Sequence, residues 1–351
     1  MATYYSSILR SGFWTISLLL LLSTLSSQSV EAQDNPSASG PVPIEVGIRL
    51  HQIVEINQKK KNFTAVIALK ARWKDPFLAY DPSENNGLMA MNKTAFKALT
   101  LKKGTLFPAA VIYNQQGRQQ SQNHLISIAP DGEVNFLERA TVVLQATNFD
   151  FRLFPIDTQS FEIHLDSLFP EDRFVFKELE GYSTMEGKLG EEEWVVTGFS
   201  TRITRSTDTT GLPSSRFTLA FTAKRHFVYY IMKIFIPLAL IIIVSWFTFF
   251  LKDYSKRIDL AGANLLLFIA FNFTISNELP KLGYITFLDA VLASTFIITV
   301  IVVLINVQLK RLQNLERGAL AESIDRYALW TYPLIYLVGV IFTVTTFFLE
   351  I

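Results

Sequence analysis

The sequence contains no cysteine at all. Disulfide bonds, thiol catalysis and thiolate metal sites are therefore excluded, and an exported domain would be held together by its apolar core alone. Histidine is also scarce, and no pair has the spacing of a metal site, because the four lie far apart: His51, His124, His164 and His226. The formal net charge is only +1, and without a basic stripe the chain gives no reason to expect nucleic acid as a partner.

The signatures of common enzymes are missing as well. The sequence has no glycine-rich phosphate loop and no G-x-S-x-G nucleophile elbow. Because no nucleophile–base motif is present, we expect that the protein is not an enzyme and has no catalytic residue. We also expect neither a cofactor nor a metal ion.

The first residues have the composition of a secretory signal peptide. Arg10 supplies a positive charge, residues 13–25 form an apolar run that is short for a membrane span, and a small-residue cleavage site ends at Ala32. We interpret residues 1–32 as a signal peptide and residues 33–43 as a flexible N-terminal segment. The alternative is a transmembrane anchor.

Residues 44–225 alternate between apolar and polar positions in short runs that are separated by turn signals. Runs such as EVGIRLHQIVEI, FTAVIALKARW and QSFEIHLDSL are typical of half-buried strands, and Pro130-Asp131-Gly132 predicts a hairpin turn. Many short strands at even spacing favour an antiparallel, immunoglobulin-like β-sandwich. We therefore expect an all-β extracellular domain.

Residues 226–351 hold four runs that are long and apolar enough to cross a bilayer, at about 229–251, 256–278, 284–307 and 327–349. Basic residues follow the first run and occupy the short link 308–326, and loops rich in Lys and Arg stay in the cytoplasm. The β-domain and both termini of the mature chain would then lie outside, in agreement with the signal peptide. The predicted fold is a β-sandwich followed by an all-α, four-helix transmembrane domain.

The second apolar run is unusual because polar groups interrupt it. Helical steps of four and three residues place six of its residues on one face: Asp259, Ala263, Leu266, Ala270, Phe273 and Asn277. Several copies around an axis would form a ring of carboxylates followed by apolar rings, an arrangement that favours cations and gates by dewetting. The alternative is a core helix in which Asp259 pairs with a neighbouring Lys or Arg.

This order of segments resembles the pentameric ligand-gated ion channels. DFRLFPIDTQSF (150–161) is similar to the signature loop of that family, with Thr147 and Phe161 where the animal receptors have paired cysteines. RWKDPFLAYDP (72–82) is similar to the family's Trp-x-Asp strand, and the segment from Arg225 through Pro237 resembles its first transmembrane helix. The motifs IAFN and NELPK and the short link 308–326 are similar to those of bacterial members. The resemblance covers nearly all of the mature chain.

The resemblance implies a homopentamer in which four identical subunits join this chain, surrounded by membrane lipids. Its second transmembrane helix would line the pore, with Leu266 and Phe273 as gates and Asp259 as the selectivity residue. Anion-selective members carry a Pro-Ala feature just before this helix, whereas Ser255-Lys256-Arg257 stands here, with Arg257 near the inner mouth. We therefore predict that monovalent cations permeate.

The resemblance also implies residues that couple the sandwich to the pore. The acid of the signature loop, Asp157, would pair with Arg225, and Phe154 and Pro155 belong to the same loop. Pro280, Lys281 and Tyr284 lie in the link that would meet the sandwich. Lys59 stands in the first hairpin turn, where some relatives place a second acid.

The agonist site that the resemblance implies lies between neighbouring subunits, in an extracellular ligand-binding domain. One side would use Ile112, Tyr113, Asp166, Phe169, Arg202 and Arg216, and the opposite side would use Arg72. Arg202, Arg205 and Arg216 would suit an anionic ligand or would be simple surface charge, while the loop 205–216 has no aromatic residue for an amine cage. The agonist is then an unknown small molecule or protons.

The expected location is the bacterial inner membrane, with the β-domain in the periplasm. The alternative function is a non-conducting, membrane-anchored ligand sensor.

Overall fold

The computed structural model describes residues 40–83, 87–187, 189, 193–207, 210–276 and 281–349. The predicted signal peptide, 1–32, and most of the predicted flexible segment, 33–43, lie outside these residues.

The first half of the described chain consists mainly of strands. They are β1 (Val42–Asn57), β2 (Asn62–Lys74), β3 (Met89–Met91), β4 (Ala110–Ile112), β5 (Gln120–Ile128), β6 (Glu133–Gln145), β7 (Thr158–Pro170), β8 (Phe174–Glu178), β9 (Thr184–Met185), β10 (Trp194–Thr207) and β11 (Pro213–Arg225), with one helix, α1 (Lys93–Lys103), between β3 and β4. One sheet has the order β3-β5-β6-β2-β1-β8, with β9 also paired to β1, and the second has the order β10-β11-β7-β4.

The two sheets bury their apolar faces against each other. Phe63 of the first sheet meets Phe161 of the second edge-to-face at 5.2 Å between ring centroids, and Phe161 stacks on Phe221 at 5.0 Å. The predicted turn at Pro130-Asp131-Gly132 joins β5 and β6, and Gly132 has a φ of 83°. A Cβ there would lie 2.3 Å from the carbonyl oxygen of Asp75, so only glycine fits. The predicted β-sandwich is confirmed.

The second half consists of four long helices: α2 (Phe227–Phe250), α3 (Tyr254–Ser276), α4 (Phe287–Asn314) and α5 (Gly318–Phe348). Each contains a stretch whose mean hydropathy, between 1.7 and 2.6, is high enough for a membrane span. The four predicted spans are therefore present.

The C-terminal end of α4 and the N-terminal end of α5 extend further than the sequence pattern predicted. The predicted link 308–326 is helical except at residues 315–317, because α4 continues to Asn314 and α5 begins at Gly318. Hydropathy detects only the apolar part of a helix, whereas Gln, Leu, Lys and Arg after residue 307 are all good helix formers. This extension places Asp325 on α5, opposite the start of α3.

Candidate functional site

Helix α3 has one face that packs inside the chain and one that does not. The packed face buries Arg257, Ala261, Asn264, Phe268 and Ile275. The opposite face carries the stripe predicted from the helical count, and its described members are all exposed: Asp259, Ala263, Leu266, Ala270 and Phe273. Leu266 and Phe273 are each 69% exposed, so these large apolar side chains need lipid or another chain to cover them. Asn277, the last predicted member, lies outside the described residues.

The polar residues of the two faces have different surroundings. Asn264, on the packed face, donates from Nδ2 to the carbonyl oxygen of Ile241 on α2 at 3.0 Å. Asp259 is exposed and makes no ion pair with any residue that the structure describes. The arrangement argues against a core helix whose Asp259 is paired within its own chain.

Arg257 does not point to the exposed face, although the sequence places it near the inner mouth. Its guanidinium is buried and forms a two-point ion pair with Asp325 of α5, with Nη2 and Oδ2 2.9 Å apart. It also donates to the carbonyl oxygens of Phe249 and Leu251. Each donor group is therefore used inside the subunit, and the positive charge is balanced there.

Replacing Asp325 with Asn should destabilise the helical bundle. The substitution leaves a buried guanidinium with backbone partners only, at an expected cost of about 1–3 kcal/mol, moderated because Asp325 keeps some contact with water. The thermal midpoint of the detergent-purified protein measures the effect. Glu322→Gln, on the same helix but exposed, is the matched control. Equal midpoints for the two variants would contradict the assigned ion pair.

A second buried arginine lies where the sandwich meets the helices. The Arg225 side chain is 0% exposed and that of Asp157 is 2% exposed, with Nε and Oδ1 2.7 Å apart. Asp157 also accepts from the side-chain amide of Gln159, which in turn fixes the backbone of Asp150. The acid predicted from the signature loop and the arginine predicted before the first span are thus in direct contact.

Two further partners of Arg225 were not found by reading the sequence. Nη1 donates to Oε1 of Glu193 at 2.8 Å and to the hydroxyl oxygen of Tyr230 at 2.9 Å. The Tyr230 hydroxyl itself donates to Glu193 at 2.6 Å, and the amide of Gln58 donates to the same carboxylate at 3.2 Å. The second acid comes from the residue before β10, while Gln58 and its neighbour Lys59 occupy the hairpin turn between β1 and β2.

Aromatic rings enclose the guanidinium of Arg225. Its Cζ lies 4.1 Å from the ring centroid of Trp194 and 4.8 Å from that of Phe154. The rings favour a cation and exclude water, so its hydrogen bonds act in a low-dielectric site. Since Tyr230 belongs to the first turn of α2, its bond to Arg225 links the end of β11 directly to that helix.

The signature loop also inserts into the outer end of the helix bundle. Phe151 and Phe154 belong to one buried apolar cluster with residues of α2, α3 and α4. The backbone N–H of Phe151 donates to the Tyr284 hydroxyl at 3.0 Å, and the N–H of Phe287 donates to the Arg152 carbonyl at 2.8 Å. These bonds tie the loop to the start of α4.

The other residues predicted to couple the sandwich to the pore differ in their exposure. Pro155 is buried beside Phe154, whereas Lys281 and Lys59 are exposed. Pro280 lies outside the described residues. Tyr284 is therefore the predicted residue of the 280–284 link that the structure brings into contact with the sandwich.

The predicted agonist residues are divided between the two sheets. On the second sheet, Arg216 forms a two-point ion pair with Asp166, at 2.6 Å for both contacts, and its Cζ lies 4.6 Å from the ring centroid of Tyr113. The hydrogen bond to Asp166 raises the pKa of Arg216. On the first sheet, Arg72 pairs with Glu45 of the neighbouring strand.

The expectation of an anionic ligand at the second sheet does not fit these pairings. Arg202 contacts Glu162 at 2.7 Å and Arg205 contacts Glu171 at 3.0 Å, so each cation already has a carboxylate. Ile112 points into the sandwich core and cannot line a surface site, because alternation along the strand turns its neighbours Val111 and Tyr113 outward instead. Phe169 packs on Phe174, with 5.3 Å between ring centroids.

A cavity of about 310 Å³ lies beside this network. Its lining includes Tyr113, Arg216, Glu162 and His164. The His164 Nδ1 lies 3.0 Å from the Thr218 hydroxyl oxygen and its Nε2 lies 3.3 Å from Glu162. Burial lowers the pKa of His164 below the ordinary histidine value, against the attraction of Glu162.

This pKa shift predicts a loss of stability in acid. Folding lowers the proton affinity of His164, so the unfolded chain binds more protons as the pH falls below 6.5, and stability falls with it. His164→Gln keeps a polar contact to Thr218 and should flatten the fall of the thermal midpoint below that pH. His124→Gln, at an exposed histidine of the other sheet, is the control. If the thermal midpoint of His164→Gln fell as steeply with pH as that of the parent protein, His164 would not be the source of the acid sensitivity.

Known proteins similar to this chain are ion channels. A family model described as the neurotransmitter-gated ion-channel ligand binding domain matches residues 20–227. A proton-gated ion channel of Gloeobacter violaceus is 24% identical over 342 residues, covering 95% of this chain and 91% of that protein. The gamma-aminobutyric acid receptor subunit rho-1 of Mus musculus is 23% identical over 278 residues, covering 77% of this chain and 56% of the receptor. The chain thus spans little more than half of the receptor subunit.

Proposed function

Because the chain belongs to the neurotransmitter-gated ion-channel ligand binding domain family of the pentameric ligand-gated channels, we propose that it forms a homopentameric, cation-selective channel. An extracellular signal opens it, and the sandwich transmits that signal to α3. The observation that carries the proposal is the division of α3 into a packed face and an exposed face. The exposed face has an acid at one end and large apolar side chains beyond it.

Five copies of α3 around an axis would use that exposed face to line the pore. Asp259 then forms a carboxylate ring, and Leu266 and Phe273 form apolar rings that close the pore by excluding water. The Arg257–Asp325 pair supports cation selectivity, because it holds the arginine charge away from this face. Lys252 and Lys256 stay at the cytoplasmic side under the positive-inside rule.

The network around Arg225 is the proposed connection between signal and pore. The loop before β7 supplies Asp157, the end of β11 supplies Arg225, and α2 supplies Tyr230. Phe154 and Tyr284 extend the contact to the outer ends of the helices. In this proposal Pro155, Pro280 and Lys281 flank that contact, and Lys59 adds charge at the hairpin turn.

The signal is a small molecule or protons, acting at the β-sandwich in the periplasm. The proton-gated relative supports protons, and His164, whose pKa is lowered by burial and whose Nε2 lies 3.3 Å from Glu162, supplies a titratable group. The gamma-aminobutyric acid receptor subunits among the relatives support a small organic agonist instead. Tyr113, Arg216 and Asp166 would lie at the interface between subunits in either case.

Current recording tests the proposal. The chain is expressed in oocytes, and membrane current is measured while the external pH and a panel of small organic ligands are varied. We expect evoked current that is carried by Na⁺ and K⁺. Silence throughout the panel, with the protein labelled at the cell surface, would overturn the channel assignment and favour a non-conducting ligand sensor.

A further inference from the structure

A short basic helix, α1, closes one end of the β-sandwich. It begins after Asn92, whose side chain accepts a backbone N–H at 2.8 Å, and it ends at Gly104, which has a φ of 70°. Phe96 on its inner side is fully buried, and its ring meets those of Trp73 and Phe107 edge-to-face at 6.0 Å and 5.9 Å between centroids. These contacts hold α1 on the sandwich core, so its opposite side forms a fixed outer surface.

The outer surface of α1 lies far from the membrane. Strand β2 begins next to the turn that carries Gln58, which bonds to Glu193 in the network beside α2. Trp73, on which α1 packs, stands at the other end of the same strand. Strand β2 contains 13 residues, and at about 3.3 Å per residue it separates α1 from that turn by about 40 Å. The lipids around α2–α5 therefore cannot cover the outer surface of α1.

Three lysines make this outer surface positively charged. Lys97, Lys102 and Lys103 are exposed and form no ion pair with any residue that the structure describes, and α1 contains no acidic residue. Lys102 and Lys103 lie in the last turn, where a cation stabilises the helix dipole. That explanation does not apply to Lys97, which lies more than a full turn before them. We call these three lysines and Leu101 the lysine face.

Acids near this end of the sandwich already have partners. Asp131, in the turn between β5 and β6, forms an ion pair with Lys74 at 2.8 Å. Asp75 accepts a backbone N–H of the 3-10 helix that follows it at 3.0 Å, and Asp81 accepts a neighbouring serine hydroxyl at 2.7 Å. Carboxylates of another molecule are therefore the groups that would balance the charge of the lysine face.

Apolar side chains accompany the lysines. Leu101 is 81% exposed, the highest value for a large apolar side chain in the described part of the sandwich. Leu106, which follows the turn at Gly104, is 50% exposed, and Phe77, on the short 3-10 helix that packs against α1, is 54% exposed. A single exposed leucine is common, whereas a group of large apolar side chains beside charged residues is typical of a protein-binding surface.

We propose that the lysine face binds an acidic polypeptide segment of a partner protein, with carboxylates on Lys97, Lys102 and Lys103 and an apolar side chain on Leu101. An anionic polysaccharide would satisfy the lysines but would leave Leu101 in contact with water, so the composition of the surface favours a polypeptide. The lysine face includes none of the residues predicted for the agonist site and none of the exposed face of α3.

Binding of a fluorescently labelled copolymer of glutamate and tyrosine tests the proposal by fluorescence anisotropy, with the full-length protein in a non-ionic detergent. We expect saturable binding by the parent protein. The triple variant Lys97→Gln, Lys102→Gln, Lys103→Gln should bind the copolymer at least about tenfold more weakly, because it loses three charge pairs. All three side chains are exposed, so the variant should keep the fold of the parent.

A second triple variant controls for the loss of net charge. Lys60→Gln, Lys177→Gln and Lys224→Gln together remove three exposed lysines that lie outside α1. The copolymer should bind this variant as tightly as it binds the parent.

Leu101→Ser tests the apolar contact separately from the charge. It should weaken binding of the copolymer by at least about threefold, because a tyrosine ring can no longer bury the leucine. Binding of polyglutamate, which has no apolar side chain to place there, should be unchanged.

Three results would overturn the proposal. Absence of saturable binding would mean that the lysine face is not accessible to an acidic polypeptide. Equal weakening in the two triple variants would mean that net charge alone attracts the copolymer. Parent-like binding of the copolymer by Leu101→Ser would mean that the lysines attract polyanions of any kind. None of these results depends on whether the protein conducts ions.

Discussion

Replacing Arg225 with Gln is expected to abolish evoked current and to lower the free energy of unfolding by about 3–5 kcal/mol. The substitution leaves the carboxylate of Asp157 buried at the junction, with a single side-chain amide donor in place of a cation. It also removes the cation that Glu193 and Tyr230 share. Whole-cell current, normalised to surface-labelled protein, and the thermal midpoint in detergent measure the two effects.

A surface ion pair on the same sandwich provides the control. Arg202 contacts Glu162 at 2.7 Å, but its side chain is 47% exposed. Water already screens that charge, so Arg202→Gln should change stability by only about 0–1 kcal/mol. If Arg225→Gln and Arg202→Gln lowered the free energy of unfolding equally, the burial of Arg225 would not explain its contribution to stability.

A variant that perturbs the junction less separates an effect on channel activation from an effect on folding. Tyr230→Phe keeps the ring that packs on Phe154 at 5.3 Å but removes the hydroxyl that bonds to Arg225 and Glu193. We expect a protein that reaches the surface in normal amounts and needs a stronger stimulus for half-maximal current. The proposed connection through Arg225 and Tyr230 would be excluded if Tyr230→Phe and a surface-expressed Arg225 variant were both activated as the parent protein is.

The sequence predicted single residues of this junction but not the complete network. Asp157 and Arg225 follow from motifs whose positions are fixed along the chain. The contact of Glu193 with both Arg225 and Gln58 does not, because it forms only when the residue before β10 and the turn after β1 meet in the folded sandwich. Neither the periodicity of one segment nor the spacing of a motif predicts a contact between two segments that are distant in the sequence.

The same distinction explains why the partners of the charged residues were not predicted. A helical count separates the exposed and packed faces of α3 correctly, since it depends only on the period of one element. The partner of Arg257 lies on α5, in a stretch read as a link, so its charge seemed available at the inner mouth. Arg216 likewise has its acid placed opposite it by strand register, and Arg202 reaches Glu162 across the neighbouring strand; neither partner is visible in the sequence.

Replacing Asp259 with Asn is expected to remove most of the cation selectivity. In the proposed pentamer this residue supplies a ring of carboxylates at the inner end of the pore, and no residue that the structure describes pairs with it. Such a ring concentrates cations and repels anions in the narrow, poorly screened pore. Asn keeps the size and the polarity but carries no charge.

The reversal potential measures this effect. Across a tenfold NaCl gradient, a perfectly cation-selective channel reverses about 59 mV from zero. We expect the parent channel to approach that value and Asp259→Asn to move tens of millivolts towards zero. Glu322→Gln, which removes an exposed acid of α5 at the same end of the bundle, should reverse at the parent value.

Lys256 decides how the result is interpreted, because it lies one turn before Asp259 on the exposed side of α3. A lysine side chain is long and flexible enough to keep its ammonium in the cytoplasmic water, outside the narrow part of the pore. Lys256→Gln should therefore leave selectivity unchanged or raise it slightly. An unchanged reversal potential in Asp259→Asn, with Lys256→Gln altering it strongly, would place the selectivity filter at Lys256 and remove the role assigned to the carboxylate.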